Sequence, residues 1–174
     1  LYSPNKRKEA YKFAAEKIKE GRQAYVVCPK IEESEFFAKQ SALEVYRELQ
    51  EEFRDFRIGL VHGRLRQAEQ DKAMSDFKQG KINILVATTV LEVGIDVANA
   101  SIMLIEQADY FGLTQLHQLR GRIVRGVHQP YCLLIADPKT DEARERIKAI
   151  VSLSDGFNLA EEDLKIRGPG EFFG

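Results

Sequence analysis

Three arginines lie within six positions near the middle of the chain, at Arg120, Arg122 and Arg125. Arg122 and Arg125 would share one face of a helix that ran through both of them, because positions three apart are neighbours. Two adjacent guanidinium groups repel each other unless an anion lies between them. A triphosphate fits this role, because fixed arginine donors stabilise the charge that develops during phosphoryl transfer. The alternatives are a solvated basic helix face and pairing with nearby glutamates.

A second candidate segment runs from Thr88 to Val97 and follows a predicted strand. Thr88 and Thr89 offer hydroxyl and amide groups to a phosphate, and Gly94 allows close approach of a backbone. Asp96 could accept a hydrogen bond from a ribose hydroxyl. A loop that is simply rich in turn-forming and capping residues explains the same composition.

A third candidate is His62-Gly63-Arg64, which also follows a predicted strand. Arg64 and the amide of Gly63 could meet a DNA phosphate there, although an ordinary surface turn fits equally well. The three histidines show no metal-ligand spacing with either cysteine or with one another. We therefore predict no metal site in this chain.

Two motifs of complete P-loop ATPases are missing from the sequence. No Gly-x-x-x-x-Gly-Lys-Ser/Thr loop is present to hold ATP phosphates, and no Asp-Glu pair directly follows a strand to hold Mg²⁺. A chain with arginines and a ribose-binding carboxylate but no phosphate loop fits one wall of a nucleotide cleft. We expect the other wall elsewhere, in a longer protein of which this chain is a fragment.

Length and composition indicate one globular domain, with 174 residues of which 44% are apolar and 30% charged. The net charge of −1 gives no bulk positive field, so any DNA contact must be local. We expect a cytosolic protein, since the sequence shows neither a long apolar run nor a leader. Cys28 and Cys132 lie in apolar runs, which predicts buried reduced thiols.

The periodicity of apolar residues predicts alternating strands and helices. The predicted strands cover residues 24–28, 58–61, 82–87, 101–105 and 131–135. The predicted helices cover residues 6–20, 36–53, 66–78, 113–122 and 140–151, with Asn5 as the cap of the first. This order predicts an α/β sandwich with a parallel sheet, and we expect its functional groups beyond the carboxyl ends of the strands. Residues 154–156 resemble a linker before a short amphipathic helix, which predicts one domain over 1–153 and an appended segment over 154–174.

Four segments resemble, in order, the second motor domain of superfamily 2 helicases; they are residues 25–30, 62–64, 86–97 and 118–125. More narrowly, residues 106–122 and 164–174 are similar to bacterial RecG-type branch-migration helicases. The resemblance implies a RecA-like three-layer sandwich in a monomeric, ATP-driven motor on branched double-stranded DNA. It also implies a preceding RecA-like domain that holds most of the ATP and Mg²⁺, a wedge domain that splits junctions, and a place in DNA repair and recombination. We expect such a protein in the bacterial cytoplasm, at the nucleoid.

The resemblance also assigns roles to individual residues. Gln118, Arg122 and Arg125 would face the γ-phosphate of ATP, with Arg125 as the arginine finger and Arg122 as its partner. Gly94 and Asp96 would lie against the nucleotide. The residues assigned to DNA are His62, Gly63, Arg64, Thr88 and Thr89, and those assigned to the start of a translocation motif are Arg167 and Gly168. Val124 departs from the family pattern, which has glycine there; a β-branched residue would misplace Arg125 if that position needs a positive φ.

Three other interpretations assign the sequence to a different kind of protein. A transcription-repair coupling translocase shares the motor and a similar C-terminal motif, but displaces stalled RNA polymerase. A non-catalytic nucleotide- or DNA-binding module would use the sheet as a scaffold. An unrelated α/β phosphate-binding enzyme would turn over ATP without a second domain.

Overall fold

The computed structural model describes residues 1–29, 35–88, 97–123 and 126–152. Within these ranges the helices are α1 (Arg7–Lys19), α2 (Glu35–Glu52), α3 (Gln67–Lys78), α4 (Leu113–Gly121) and α5 (Asp141–Ser152). The strands are β1 (Gln23–Cys28), β2 (Ile58–Val61), β3 (Ile84–Thr88), β4 (Ala100–Ile105) and β5 (Tyr131–Leu134). None of the helices in the described part of the chain has the length and apolar character needed to cross a membrane.

The five strands form one sheet in the order β2-β3-β1-β4-β5, and every neighbouring pair is parallel. The strand β1 lies at the centre, where Val26 is in register with Val86 on one side and with Leu104 on the other. All six residues of β1 are buried, as expected when helices cover both faces of a parallel sheet. The predicted α/β fold is therefore confirmed.

The two faces of the sheet build two separate apolar clusters. Val26 and its alternate neighbours in β1 pack with α1 and α2, including Leu49. The opposite face packs with α3, α4 and α5, and there the ring of Phe77 lies 4.9 Å from the ring of Tyr25. Side chains alternate across a strand, so one apolar run supplies both clusters. The result is a sandwich of three layers.

The ends of two elements differ from the sequence prediction. Asn5 is not the cap of α1, because a 3-10 turn over Pro4–Lys6 precedes the helix and leaves Lys6 at the cap position. The strand β3 begins two residues late, because the amide of Asn83 donates to the carbonyl oxygen of Arg57 and not into a strand ladder. The predicted boundary between residues 153 and 154 lies outside the described residues and stays a prediction.

Both cysteines are free thiols, as predicted; Cys28 is buried, whereas Cys132 is half-buried and therefore more exposed than predicted. Burial raises the pKa of Cys132 to about 11 and raises the pKa of Cys28 further. Each thiol therefore carries little thiolate near neutral pH.

We expect native Cys132 to react with a thiol reagent at pH 8 more than about tenfold slower than in the unfolded chain, because the thiolate is the nucleophile. Disulfide-exchange labelling with and without denaturant measures the two rates. Equal rates in both conditions would show that the thiol is not protected.

Candidate functional site

The carboxyl edge of β2 and β3 brings two of the predicted DNA-contact segments together. The register pairs Val61 with Ala87, so His62 and Thr88, the next residue in each case, lie side by side. His62 and Thr88 are buried, whereas Gly63 and Arg64 are exposed. At this edge, Gly63 and Arg64 are therefore exposed beside the buried His62 and Thr88.

The turn that carries Arg64 is held by hydrogen bonds at the start of α3. The backbone amide of Arg64 donates to Nδ1 of His62 at 3.3 Å, and the amide of Leu65 donates to the carbonyl oxygen of His62 at 3.1 Å. Farther on, the side chain of Gln70 donates to the carbonyl oxygen of Leu65 at 2.8 Å. The buried imidazole of His62 thus supports the turn, and the exposed Arg64 is the group best placed to meet a phosphate.

The helix α4 carries the first part of the arginine segment, residues 118–125. Leu116 and Leu119 are buried in the core, whereas Gln118 is exposed and Arg122 is half-buried. The helix ends at Gly121 and Arg122 is its C-terminal cap, with its amide donating to the carbonyl oxygen of Leu119 at 3.0 Å. Arg125 lies outside the described residues, so the shared face of Arg122 and Arg125 stays a prediction.

Arg120 contacts a second helix through its side chain. Its guanidinium donates to the carbonyl oxygen of Ile150 in α5 at 3.0 Å and lies 3.2 Å from Nδ1 of His117. Arg120 is thus tied both to α5 and to His117 of its own helix.

The end of the arginine segment meets the end of the Thr88–Val97 segment. A Cβ atom added at Gly126 would overlap the carbonyl oxygen of Ala98. Arg125 directly precedes Gly126, and Asp96 precedes Ala98 by two residues. This backbone contact joins the two segments that the sequence assigns to the nucleotide.

The contact at Gly126 is not where the sequence predicts functional groups. Ala98 stands just before β4, so the contact lies near the amino end of that strand, opposite the edge that carries Arg64. A helix that follows a parallel strand runs back along the sheet, which brings the end of α4 to this side. Among the described residues, Gly126 and Ala98 therefore lie at the opposite edge of the sheet from Gly63 and Arg64.

Sequence reasoning missed a buried ionic cluster at the end of β4. Glu106 is 6% exposed, and its Oε1 accepts hydrogen bonds from the Tyr11 hydroxyl at 2.6 Å and from Nε of Arg7 at 2.7 Å. Nη1 of Arg7 also lies 3.1 Å from Oε2 of Glu48. Burial and the charge of Glu106 raise the pKa of Tyr11 well above its usual range. The cluster ties α1 to α2 and to the first residue of the 106–122 segment.

Replacing Tyr11 by phenylalanine should lower the free energy of unfolding by about 1.5 kcal/mol, because a buried carboxylate loses one donor. Denaturant unfolding measures the difference. The matched control is Tyr46→Phe, whose hydroxyl accepts an exposed hydrogen bond from Gln50. Equal effects of the two substitutions would contradict a special role for the buried hydroxyl.

Several predicted site residues lie outside the described ranges. They are Thr89, Gly94, Asp96, Val124, Arg125, Arg167 and Gly168. Within the ranges that are described, histidine, cysteine and acidic residues do not gather in any group of three or more that could hold a metal ion.

The sequence matches the family described as helicase conserved C-terminal domain over residues 5–127. Among curated relatives, the ATP-dependent DNA helicase RecG of Bacillus subtilis (strain 168) is 51% identical over 163 residues, which are 93% of this chain and 24% of that protein. RecG of Thermotoga maritima is 50% identical over 167 residues, 95% of this chain and 21% of that protein. The chain thus spans about a quarter of the length of the relatives it matches.

Solved structures give the same picture of the fold. The structure of RecG bound to a three-way DNA junction superimposes with a TM-score of 0.82 at 45% identity, over 98% of this chain and 22% of that one. The C-terminal domain of the DEAD-box protein Dbp5 has a TM-score of 0.59 at 20% identity, over 95% of each chain. The second likeness concerns the fold alone.

Proposed function

Because the chain belongs to the helicase conserved C-terminal domain family, we propose that it is the second motor domain of a RecG-type ATP-dependent DNA helicase. The observation that carries the proposal is the match to RecG over nearly the whole chain, with 45% identity and a TM-score of 0.82 over 98% of its residues. Family membership alone would leave the type of helicase open. The extent of this match favours the RecG type.

The domain works as one half of an ATPase in this proposal. The sequence contains no phosphate-binding loop, and it corresponds to about a quarter of each relative. A first RecA-like domain of the full-length protein would hold most of the ATP and Mg²⁺, which supply the phosphoryl group and the charge neutralisation for hydrolysis. The half-buried Arg122 and the exposed Gln118 suit a wall that closes on the nucleotide from this side.

Within this wall we assign Arg122, Arg125 and Gln118 to the γ-phosphate, and Gly94 and Asp96 to the nucleotide. The contact between Gly126 and Ala98 supports the grouping, because it joins the ends of the two segments. Fixed guanidinium groups would stabilise charge that develops as the phosphoryl group leaves.

We assign the edge at the carboxyl ends of β2 and β3 to contact with DNA. Gly63 and Arg64 are exposed there beside the buried Thr88, and Thr89 is the next residue along the chain. His62 would take part by holding the turn. Arg167 and Gly168 would begin the translocation motif.

Arg64→Ala in the full-length protein should weaken DNA binding about equally for all sequences, and should reduce the slope of log affinity against log salt by about one. A salt titration of binding measures the slope. The control is Lys81→Ala, because Lys81 pairs with Asp76 near the amino end of β3. An unchanged slope for Arg64→Ala would remove this residue from the DNA interface.

The substrate we propose is branched double-stranded DNA, in line with the RecG that was solved on a three-way junction. The full-length protein would act as a monomer in the bacterial cytoplasm, at the nucleoid, with a wedge domain that splits the junction. Its tasks would be to remodel stalled replication forks and Holliday junctions in DNA repair and recombination.

The test of this function compares ATP-dependent unwinding of a forked duplex and of a linear duplex by the full-length protein. We expect efficient unwinding of the fork and little of the linear duplex. A motor that ignores the fork but displaces stalled RNA polymerase would instead be a transcription-repair coupling translocase.

A further inference from the structure

The guanidinium group of Arg120 connects two helices that lie on the same face of the sheet. Its Nη1 donates to the carbonyl oxygen of Ile150 at 3.0 Å, and its Nη2 lies 3.2 Å from Nδ1 of His117. Ile150 belongs to the last described turn of α5. Arg120 therefore ties α4 to α5 through its side chain.

The position of this contact links two functionally distinct parts of the chain. Arg120 stands two residues before Arg122, which caps α4. Ile150 stands two residues before Ser152, the last described residue of α5, and the sequence continues from there toward the predicted translocation segment. Both helices pack on one buried cluster, which includes Leu116, Leu119 and Ile150.

We propose that Arg120 is a positioning residue that transmits movement of the arginine segment to the end of α5, rather than a third phosphate ligand. The inference rests on the proposed function, since it presumes that Arg122 responds to the nucleotide. Two of the guanidinium nitrogens of Arg120 already lie within hydrogen-bond distance of protein groups, the Ile150 carbonyl oxygen and Nδ1 of His117. Energetic coupling between distant sites is carried by packed side chains, hydrogen bonds and rigid helices. Loss of Arg120 should therefore leave ATP hydrolysis nearly intact while less DNA is unwound per ATP.

The experiment uses the full-length protein and measures two rates, DNA-stimulated ATP hydrolysis and unwinding of a forked duplex. For Arg120→Ala we expect hydrolysis to stay within about threefold of the parent, while the base pairs unwound per ATP fall about tenfold. The control is Arg144→Ala, because Arg144 is exposed on the first turn of α5 and pairs with Asp141. It should leave both rates unchanged.

Each remaining result decides against the inference. An equal fall in hydrolysis and unwinding would make Arg120 part of the hydrolytic machinery, and two unchanged rates would give it no role. Arg120→Met provides the same ratio if the alanine variant does not fold, because it keeps a long side chain but removes every hydrogen-bond donor. If the unsubstituted full-length protein shows no DNA-stimulated ATP hydrolysis, the proposed function fails together with this inference. If it is active, a negative result for the Arg120 variants contradicts only the role of Arg120.

Discussion

Replacing Arg125 by alanine in the full-length protein is expected to lower the turnover number for DNA-stimulated ATP hydrolysis roughly 10³-fold or more, as for other arginine fingers. The loss should fall on turnover more than on the Michaelis constant, because the group acts mainly on charge that develops in the transition state. Arg125 directly precedes Gly126, whose backbone meets Ala98 at the end of the other nucleotide segment. This neighbourhood supports the expectation.

Steady-state hydrolysis at saturating DNA measures the effect. Arg144→Ala is again the matched control, since it removes an exposed arginine from a surface pair with Asp141. A fall of less than tenfold for Arg125→Ala would exclude the finger role. Because Val124 occupies a position where the family has glycine, Val124→Gly is a useful companion, and faster hydrolysis by it would show that valine misplaces Arg125.

The second large effect is expected for Gly126→Ala. The added methyl group would overlap the backbone carbonyl oxygen of Ala98, and backbone atoms cannot move aside as a flexible side chain can. Separation of the two nucleotide segments should lower hydrolysis by the full-length protein roughly 10²-fold, because small displacements in an active site are costly. The same clash should lower the free energy of unfolding by about 1–3 kcal/mol.

Gly121→Ala is the control for the stability effect, because a Cβ atom at this helical glycine has nothing within 4 Å. It should raise the free energy of unfolding by up to about 1 kcal/mol, since alanine favours a helix. Thermal and denaturant unfolding compare the two variants. If Gly126→Ala is as stable as Gly121→Ala and hydrolyses ATP normally, the contact with Ala98 has no structural role.

The fold could be predicted because the local pattern of apolar residues agrees with a parallel sheet that helices cover on both faces. The run Ala24–Cys28 is apolar throughout, which suits a central strand of a parallel sheet covered on both faces. Helix ends were predicted to within one or two residues for the same reason. The cap by Asn5 failed because Pro4 favours a preceding turn, a local competition that residue preferences do not decide.

The candidate site could be predicted only in part. Spacing predicted the arginine segment as a candidate site but could not distinguish Arg120, because its partner Ile150 is 30 positions away. Glu106 was missed for the same reason, since its partners Arg7 and Tyr11 are 99 and 95 positions away in the sequence. Long-range polar contacts leave no periodic signal, so the fold has to be known before they can be found.

The most direct test of the central claim compares ATP hydrolysis by this chain alone with hydrolysis by the full-length protein, each with and without branched DNA. A domain that forms one wall of a nucleotide cleft should show no hydrolysis by itself, whereas the full-length protein should hydrolyse ATP and should do so faster with branched DNA. Turnover by the isolated chain would contradict the claim that it is half of a motor.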